Sequence, residues 1–132
     1  MIERLNPSTL RAVPDQYAGI YSHSTRLDHL KTLVAFSGQV GVAKDGTVAP
    51  DFAGQCQQAM DHVEALLDAH RLGLDDILKV TYFVTRAEDL AELSEIRQTR
   101  WHSPNPPAVT TLIVAGLVGP DWLIEIEVLA AA

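Results

Sequence analysis

The chain has 132 residues, 47% of them hydrophobic, and a formal net charge of −7 from 17 acidic and 10 basic residues. This length predicts a single domain, residues 1–132, and the acidic balance argues against a nucleic-acid partner, which would need many Lys and Arg side chains. The single cysteine, Cys56, excludes an intramolecular disulfide and a cysteine-based zinc site. No apolar run is long enough to span a bilayer, and the N-terminus lacks a signal-peptide pattern, so we expect a cytoplasmic protein without a membrane partner.

The first half of the chain predicts two strands and one long helix. Its elements are a strand at 2–5, an ordered loop at 7–19, a strand at 32–40 and a helix from about 51 to about 71. In the helix, apolar residues recur at spacings of three and four, which indicates one buried stripe that includes Cys56. Asp51 is the predicted N-cap and Gly73 the predicted stop.

The second half predicts three strands and a second helix. These elements are a strand at 77–85, a helix at about 88–101, and strands at about 106–117 and 122–130 joined by a short connection with Gly and Pro. In the last strand Glu125 and Glu127 lie two residues apart, so both side chains project from the same face. An acidic pair inside an apolar strand is the most suggestive chemistry in the chain, although Glu127 is expected to be solvated.

The order of these elements predicts an α+β fold in which two helices pack on one face of a mixed β-sheet. Such a small sheet leaves its other face uncovered. If that face is apolar, self-association is expected to bury it.

Four segments of this chain resemble the YjgF/RidA family over nearly the whole length. The segments are Tyr21-Ser22-His23, Ser37-Gly38-Gln39, Pro107-Ala108 with Val114-Ala115-Gly116-Leu117, and Ile124-Glu125-Ile126-Glu127. The resemblance implies a chorismate-mutase-like fold and a homotrimer with a cleft between neighbouring subunits. It also implies hydrolysis of a small imine or enamine to a ketone or aldehyde plus ammonia, without a metal or organic cofactor.

The resemblance also implies the site residues. Glu125 matches the carboxylate that positions or activates a water molecule in the family. The substrate-binding residues carried over are Tyr21, His23, Ser37, Gln39, Ser94, Val109 and Thr111. Four of these depart from the family pattern, in which arginine is usual at position 109, cysteine at 111, asparagine at 94 and glutamine at 23.

The valine at position 109 changes the expected ligand. An arginine can donate two charge-assisted hydrogen bonds to a substrate carboxylate, whereas Val109 can donate none. We therefore expect a small uncharged or cationic C–N compound rather than the usual 2-imino acid, unless His23, or Arg97 or Arg100 of a neighbouring subunit, supplies the charge.

Two other functions are compatible with the sequence. One is a non-catalytic trimer that binds or senses a small molecule, which the loss of the arginine favours. The other is an endoribonuclease, which the net charge of −7 disfavours. No metal site is expected, because His29, His62 and His70 show no metal-ligand spacing.

Overall fold

A computed structural model describes all residues, 1–132, and contains a four-stranded sheet with two α-helices packed on one face. Its strands are β1 (Glu3–Leu5), β2 (Ser24–Arg26), β3 (Leu33–Val40), β4 (Ile77–Val84), β5 (Ala108–Ile113) and β6 (Ile124–Ala131). Its α-helices are α1 (Phe52–Ala69) and α2 (Leu90–Arg100). Strands β1 and β2 form a separate two-stranded ribbon. The predicted α+β architecture with a mixed sheet is confirmed.

The strand order in the sheet is β3-β6-β4-β5. Strand β6 is antiparallel to both of its neighbours, whereas β4 and β5 are parallel. A parallel pair needs a crossover connection, and α2 provides it. Although β5 and β6 follow each other in the chain, they do not pair, because β4 lies between them.

The core lies between the helices and one face of the sheet. From β6, Ile124, Ile126 and Val128 point towards the helices and are at most 2% exposed. The predicted stripe of α1, which includes Cys56, packs against them. Burying one such aliphatic side chain stabilises the fold by roughly 1.5–3 kcal/mol. The alternate residues of β6 lie on the opposite face, which no helix covers.

Several element boundaries differ from the predictions, among them the ends of α1 and β5 and the start of α2. Asp51 is the predicted N-cap, and its carboxylate accepts a hydrogen bond from the Gly54 amide at 2.9 Å. Helix α1 ends at Ala69 rather than at Arg71, whose φ of 58° is left-handed. Strand β5 stops at Ile113 rather than near residue 117, because its only partner β4 ends there. The second helix starts at Leu90, after a single 3-10 turn at Ala87–Asp89.

We expect Cys56 to be chemically inert in the folded protein. Its side chain is fully buried, and burial raises the pKa of the thiol to about 12. At about pH 8 the reactive thiolate is therefore scarce. Ellman's reagent should release no thiolate chromophore from the native protein within minutes and one equivalent after denaturation in guanidinium. Rapid labelling of the native protein would contradict this burial.

Candidate functional site

Ser22 holds the segment that carries Tyr21 against the edge of the sheet. Ser22 is 2% exposed, and its backbone N–H donates to the Pro107 carbonyl at 2.8 Å. Its hydroxyl donates to the Pro106 carbonyl at 2.7 Å. An isolated parallel bridge pairs Ser22 with Ala108, the first residue of the edge strand β5. These bonds fix Tyr21 beside the start of β5.

A cavity of about 400 Å³ lies between this segment, β5 and α2. We call it the helix-side cavity. Four of the predicted substrate-binding residues line it: Tyr21, Ser94, Val109 and Thr111. The remaining lining is mostly apolar, and Arg97 is the only charged residue in it. The structure therefore brings together half of the predicted site and adds a cation to it.

Arg97 is a buried cation without a counter-ion. Arg97 is only 6% exposed, and its guanidinium forms no ion pair with any carboxylate of the chain. Its terminal nitrogens donate to the hydroxyls of Thr111 at 3.2 Å and Ser94 at 3.4 Å, the second of which is a weak contact. The guanidinium carbon lies 5.0 Å from the centre of the Tyr82 ring, and Nε has no hydrogen-bond partner.

The position of Arg97 removes the reason for excluding an acidic ligand. The sequence left open whether His23, or Arg97 or Arg100 of a neighbouring subunit, supplies a positive charge beside Val109. In the structure, Arg97 lines the helix-side cavity together with Val109 of the same chain. The available signal was an arginine within the apolar stripe of α2, between the buried residues Leu93 and Trp101.

Glu125 lies against Gly38, in the middle of the predicted Ser-Gly-Gln strand end. The pairing of β3 with β6 shifts between Phe36 and Gln39, at the predicted Ser-Gly-Gln strand end. The shift brings Gly38 so close to the Glu125 carboxylate that a Cβ at this position would collide with it. The Gln39 side-chain amide donates to the Ser37 carbonyl at 2.9 Å. The half-buried Glu125 carboxylate has no hydrogen-bond or ion-pair partner in the chain, so it is free to bind water or a ligand.

Glu125 and the residues of the helix-side cavity lie on opposite faces of the sheet. Thr111 is paired with Tyr82, which is buried under the helices, and Val109 projects from the same face as Thr111. Glu125 is paired with Phe83, the next residue of β4, so its side chain projects from the open face. The sheet backbone therefore separates Glu125 from the helix-side cavity within one chain.

His23 does not line the helix-side cavity. Its Nε2 donates to the Arg11 carbonyl at 2.7 Å, and its backbone N–H donates to the Asn6 side chain at 2.7 Å. The imidazole is therefore engaged in holding the N-terminal loop, although it lies 5.9 Å from the Tyr21 ring. Glu127 is exposed, as predicted.

A larger cavity, of about 580 Å³, adjoins the helix-side cavity at Ile20, Arg97 and Val109. Asp75 and Asp76 line it, but neither is paired with Arg97. No three His, Cys, Asp or Glu side chains are close enough to share a metal ion. None of the helices has the length and apolar character needed to cross a membrane.

Comparison of this sequence with known proteins identifies relatives that all belong to one family. The family described as Endoribonuclease L-PSP matches residues 13–132. The RutC family protein YjgH of Escherichia coli strain K12 is 38% identical over 99 residues, which is 74% of each chain. The 2-iminobutanoate/2-iminopropanoate deaminase of Salmonella typhimurium strain LT2 is 36% identical over 104 residues, which is 76% of this chain and 80% of that protein.

Solved structures share the fold. The Rid family protein YyfB of Yersinia pestis superposes with a TM-score of 0.85 at 23% identity, covering 99% of this chain and 98% of that one. A structure of protein YJGH has a TM-score of 0.70 at 34% identity, covering 84% of this chain and 82% of that one.

Replacing Arg97 tests whether the fold needs this buried charge. Because the guanidinium has no counter-ion, we expect Arg97→Met to leave the free energy of unfolding unchanged or to raise it by about 1 kcal/mol. Arg86→Met is the matched control. Arg86 forms two hydrogen bonds to Asp89, which is only 7% exposed, so its loss should lower stability.

Urea denaturation of both variants and the wild type measures these changes. A loss of more than about 2 kcal/mol in Arg97→Met would mean that the contacts of Arg97 with Ser94, Thr111 and Tyr82 support the fold.

Proposed function

This chain belongs to the YjgF/RidA family, and we propose that it hydrolyses the carbon–nitrogen bond of a small imine, or of an enamine after it tautomerises to the imine, in a cleft shared by two subunits. Imine-deaminase relatives at 36% identity support the reaction class. The observation that carries the proposal is the unpartnered Glu125 carboxylate beside Gly38, on a strand of the core sheet. A carboxylate with no partner inside its own chain is available to hold a water molecule.

Assembly is required because the two groups of site residues lie on opposite sheet faces of one chain. If Glu125 and Gly38 of one subunit dock against the helix-side cavity of its neighbour, the two sets of site residues form a single cleft. Such a contact joins two different surface patches, and contacts of this kind close into rings. The homotrimer implied by the family resemblance is such a ring. Exposed apolar side chains such as Leu33 (54%) and Leu112 (44%) favour burial in an interface.

The proposed chemistry needs little more than positioned water. Glu125 accepts a proton as the water oxygen attacks the imine carbon, and a carbinolamine forms. The proton passes from Glu125 to the imine nitrogen to complete the carbinolamine. Transfer of the hydroxyl proton through Glu125 to the amino nitrogen then lets the C–N bond break, which releases ammonia and leaves a carbonyl compound. An imine is already electrophilic, so no covalent nucleophile and no cofactor is needed. Tyr21 and Gln39 shape the cleft and orient the substrate.

The endoribonuclease description of the family receives little support from this chain. RNA binding would require several cations along a groove, whereas the helix-side cavity contains one and the net charge is −7. A non-catalytic binding trimer remains the alternative, and the next experiment distinguishes it from an enzyme.

Glu125→Gln should abolish imine hydrolysis while keeping the shape of the side chain. An amino-acid oxidase generates imines in situ, and ammonia release is compared with spontaneous hydrolysis in the presence of a competing trap such as semicarbazide. We expect the rate above background to fall by about 10²-fold or more. Glu127→Gln, on the same strand and face but exposed, is the matched control and should stay within about twofold of the wild type.

If Glu125→Gln is as active as the wild type, the carboxylate does not activate the water. A wild-type protein that binds carbonyl products but never accelerates hydrolysis would instead support the binding trimer.

Mixing two inactive variants should restore activity if the cleft is shared. Thr111→Phe blocks the helix-side cavity, while Glu125→Gln removes the carboxylate. In a ring mixed at equal amounts, about a quarter of the interfaces combine an intact cavity with an intact Glu125. Co-refolded mixtures should therefore reach roughly a quarter of wild-type activity, with sedimentation confirming assembly. Mixed rings that remain inactive would contradict a shared cleft.

A further inference from the structure

Arg97 carries a positive charge that nothing in the fold neutralises. The guanidinium is the only charged group in the lining of the helix-side cavity, and the residue is 6% exposed. A buried charge is normally paired, because removing it from water without a partner costs stability. A fold that keeps such a charge leaves a place for an anion from outside the chain.

The groups that contact Arg97 directly are all neutral, and Asp75 and Asp76, which line the adjoining cavity, form no ion pair with it. Helix α2 contributes Ser94, β5 contributes Thr111 and Val109, and β4 contributes Tyr82. Burial raises the pKa of the Tyr82 hydroxyl, so this group stays neutral as well.

The two hydroxyls extend the cationic site. Ser94 and Thr111 each accept a hydrogen bond from the guanidinium, so the hydrogen of each hydroxyl is left to donate to another group. Arg97 and these hydroxyls together offer several donors and one positive charge. This arrangement suits a planar, singly charged carboxylate better than a phosphate dianion, which would need a second cation.

We propose that Arg97 is the anion-binding residue of this site and that the ligand is a short-chain acid whose carboxylate it holds. The inference rests on the proposed function, since it assigns the substrate class of the same cleft. It replaces the expectation of an uncharged or cationic ligand by that of an imine bearing a carboxylate.

In this proposal Val109 does not mark the loss of a binding site. Its small side chain leaves space in the cavity for the guanidinium of Arg97. Both residues line the helix-side cavity, and an arginine at position 109 would bring a second guanidinium into the same small space. Two adjacent guanidinium groups repel each other, so the small apolar side chain at 109 lets α2 supply the charge. Position 109 and position 97 are alternative sources of one cation.

Direct binding tests the proposal without turnover. The probes are 2-oxobutanoate, the acid that hydrolysis of 2-iminobutanoate yields, its neutral amide 2-oxobutanamide, and inorganic phosphate. We expect Arg97→Met to bind 2-oxobutanoate about tenfold more weakly or worse, while its affinity for the amide is unchanged. Arg100→Met is the matched control, because Arg100 lies on the same helix but pairs with Asp61 and Glu64. It should bind like the wild type.

Moving the positive charge from position 97 to position 109 gives a second test, which is again read as binding of 2-oxobutanoate. The double variant Arg97→Met/Val109→Arg should recover binding of 2-oxobutanoate, whereas Val109→Arg alone should gain nothing. Unchanged binding in Arg97→Met would overturn the proposal, as would phosphate binding that matches or exceeds binding of 2-oxobutanoate.

The two proposals can fail separately. Arg97-dependent binding of 2-oxobutanoate without imine hydrolysis would remove the reaction but keep the anion site. Glu125-dependent hydrolysis of imines that is insensitive to Arg97→Met would keep the reaction and remove the anion site.

Discussion

The alternation of side chains along the central strands is the constraint on which the rest of this structure depends. In β6, Ile126 points into the core while its neighbour Glu125 points to the uncovered face. In β4, Tyr82 and Phe83 divide in the same way. Two helices are enough to cover one face of a four-stranded sheet. The same alternation therefore builds the core and places the free carboxylate on the face that no helix of this chain covers.

At position 97, the residue that would stabilise the fold most differs from the residue that could bind an anion. A leucine or methionine at the position of Arg97 would continue the apolar stripe of α2 and satisfy the core. The arginine instead keeps a charge under the helix, supported only by hydroxyls of Ser94 and Thr111 and by the face of Tyr82. Functional sites often retain such locally unfavourable groups. In the complex that we propose, the carboxylate of the ligand supplies the partner that the fold omits.

The sequence selected candidate residues for the site, but it did not show that they lie on opposite faces of the sheet. Short motifs point to Glu125 and to the Ser-Gly-Gln strand end, and the structure places Gly38 of this strand end against Glu125 at a shift in strand register. His23 was selected on the same grounds, but its ring bonds to a loop carbonyl, because side-chain partners depend on how a loop folds back. The surroundings of Arg97 depend on which strands α2 packs against, which the sequence does not show, and the structure places Arg97 in the helix-side cavity.

The sequence alone determined the features that depend on residues close together in the chain. Periodicity and residue propensity predict the two helices, the main strands, the N-cap at Asp51 and the buried face of each element. The tertiary structure decided the rest. The insertion of β6 between β3 and β4 and the placement of Arg97 behind Val109 depend on contacts between residues far apart in the chain. Such contacts form only when the sheet order and the crossover are set by packing of the whole core, which no local pattern encodes.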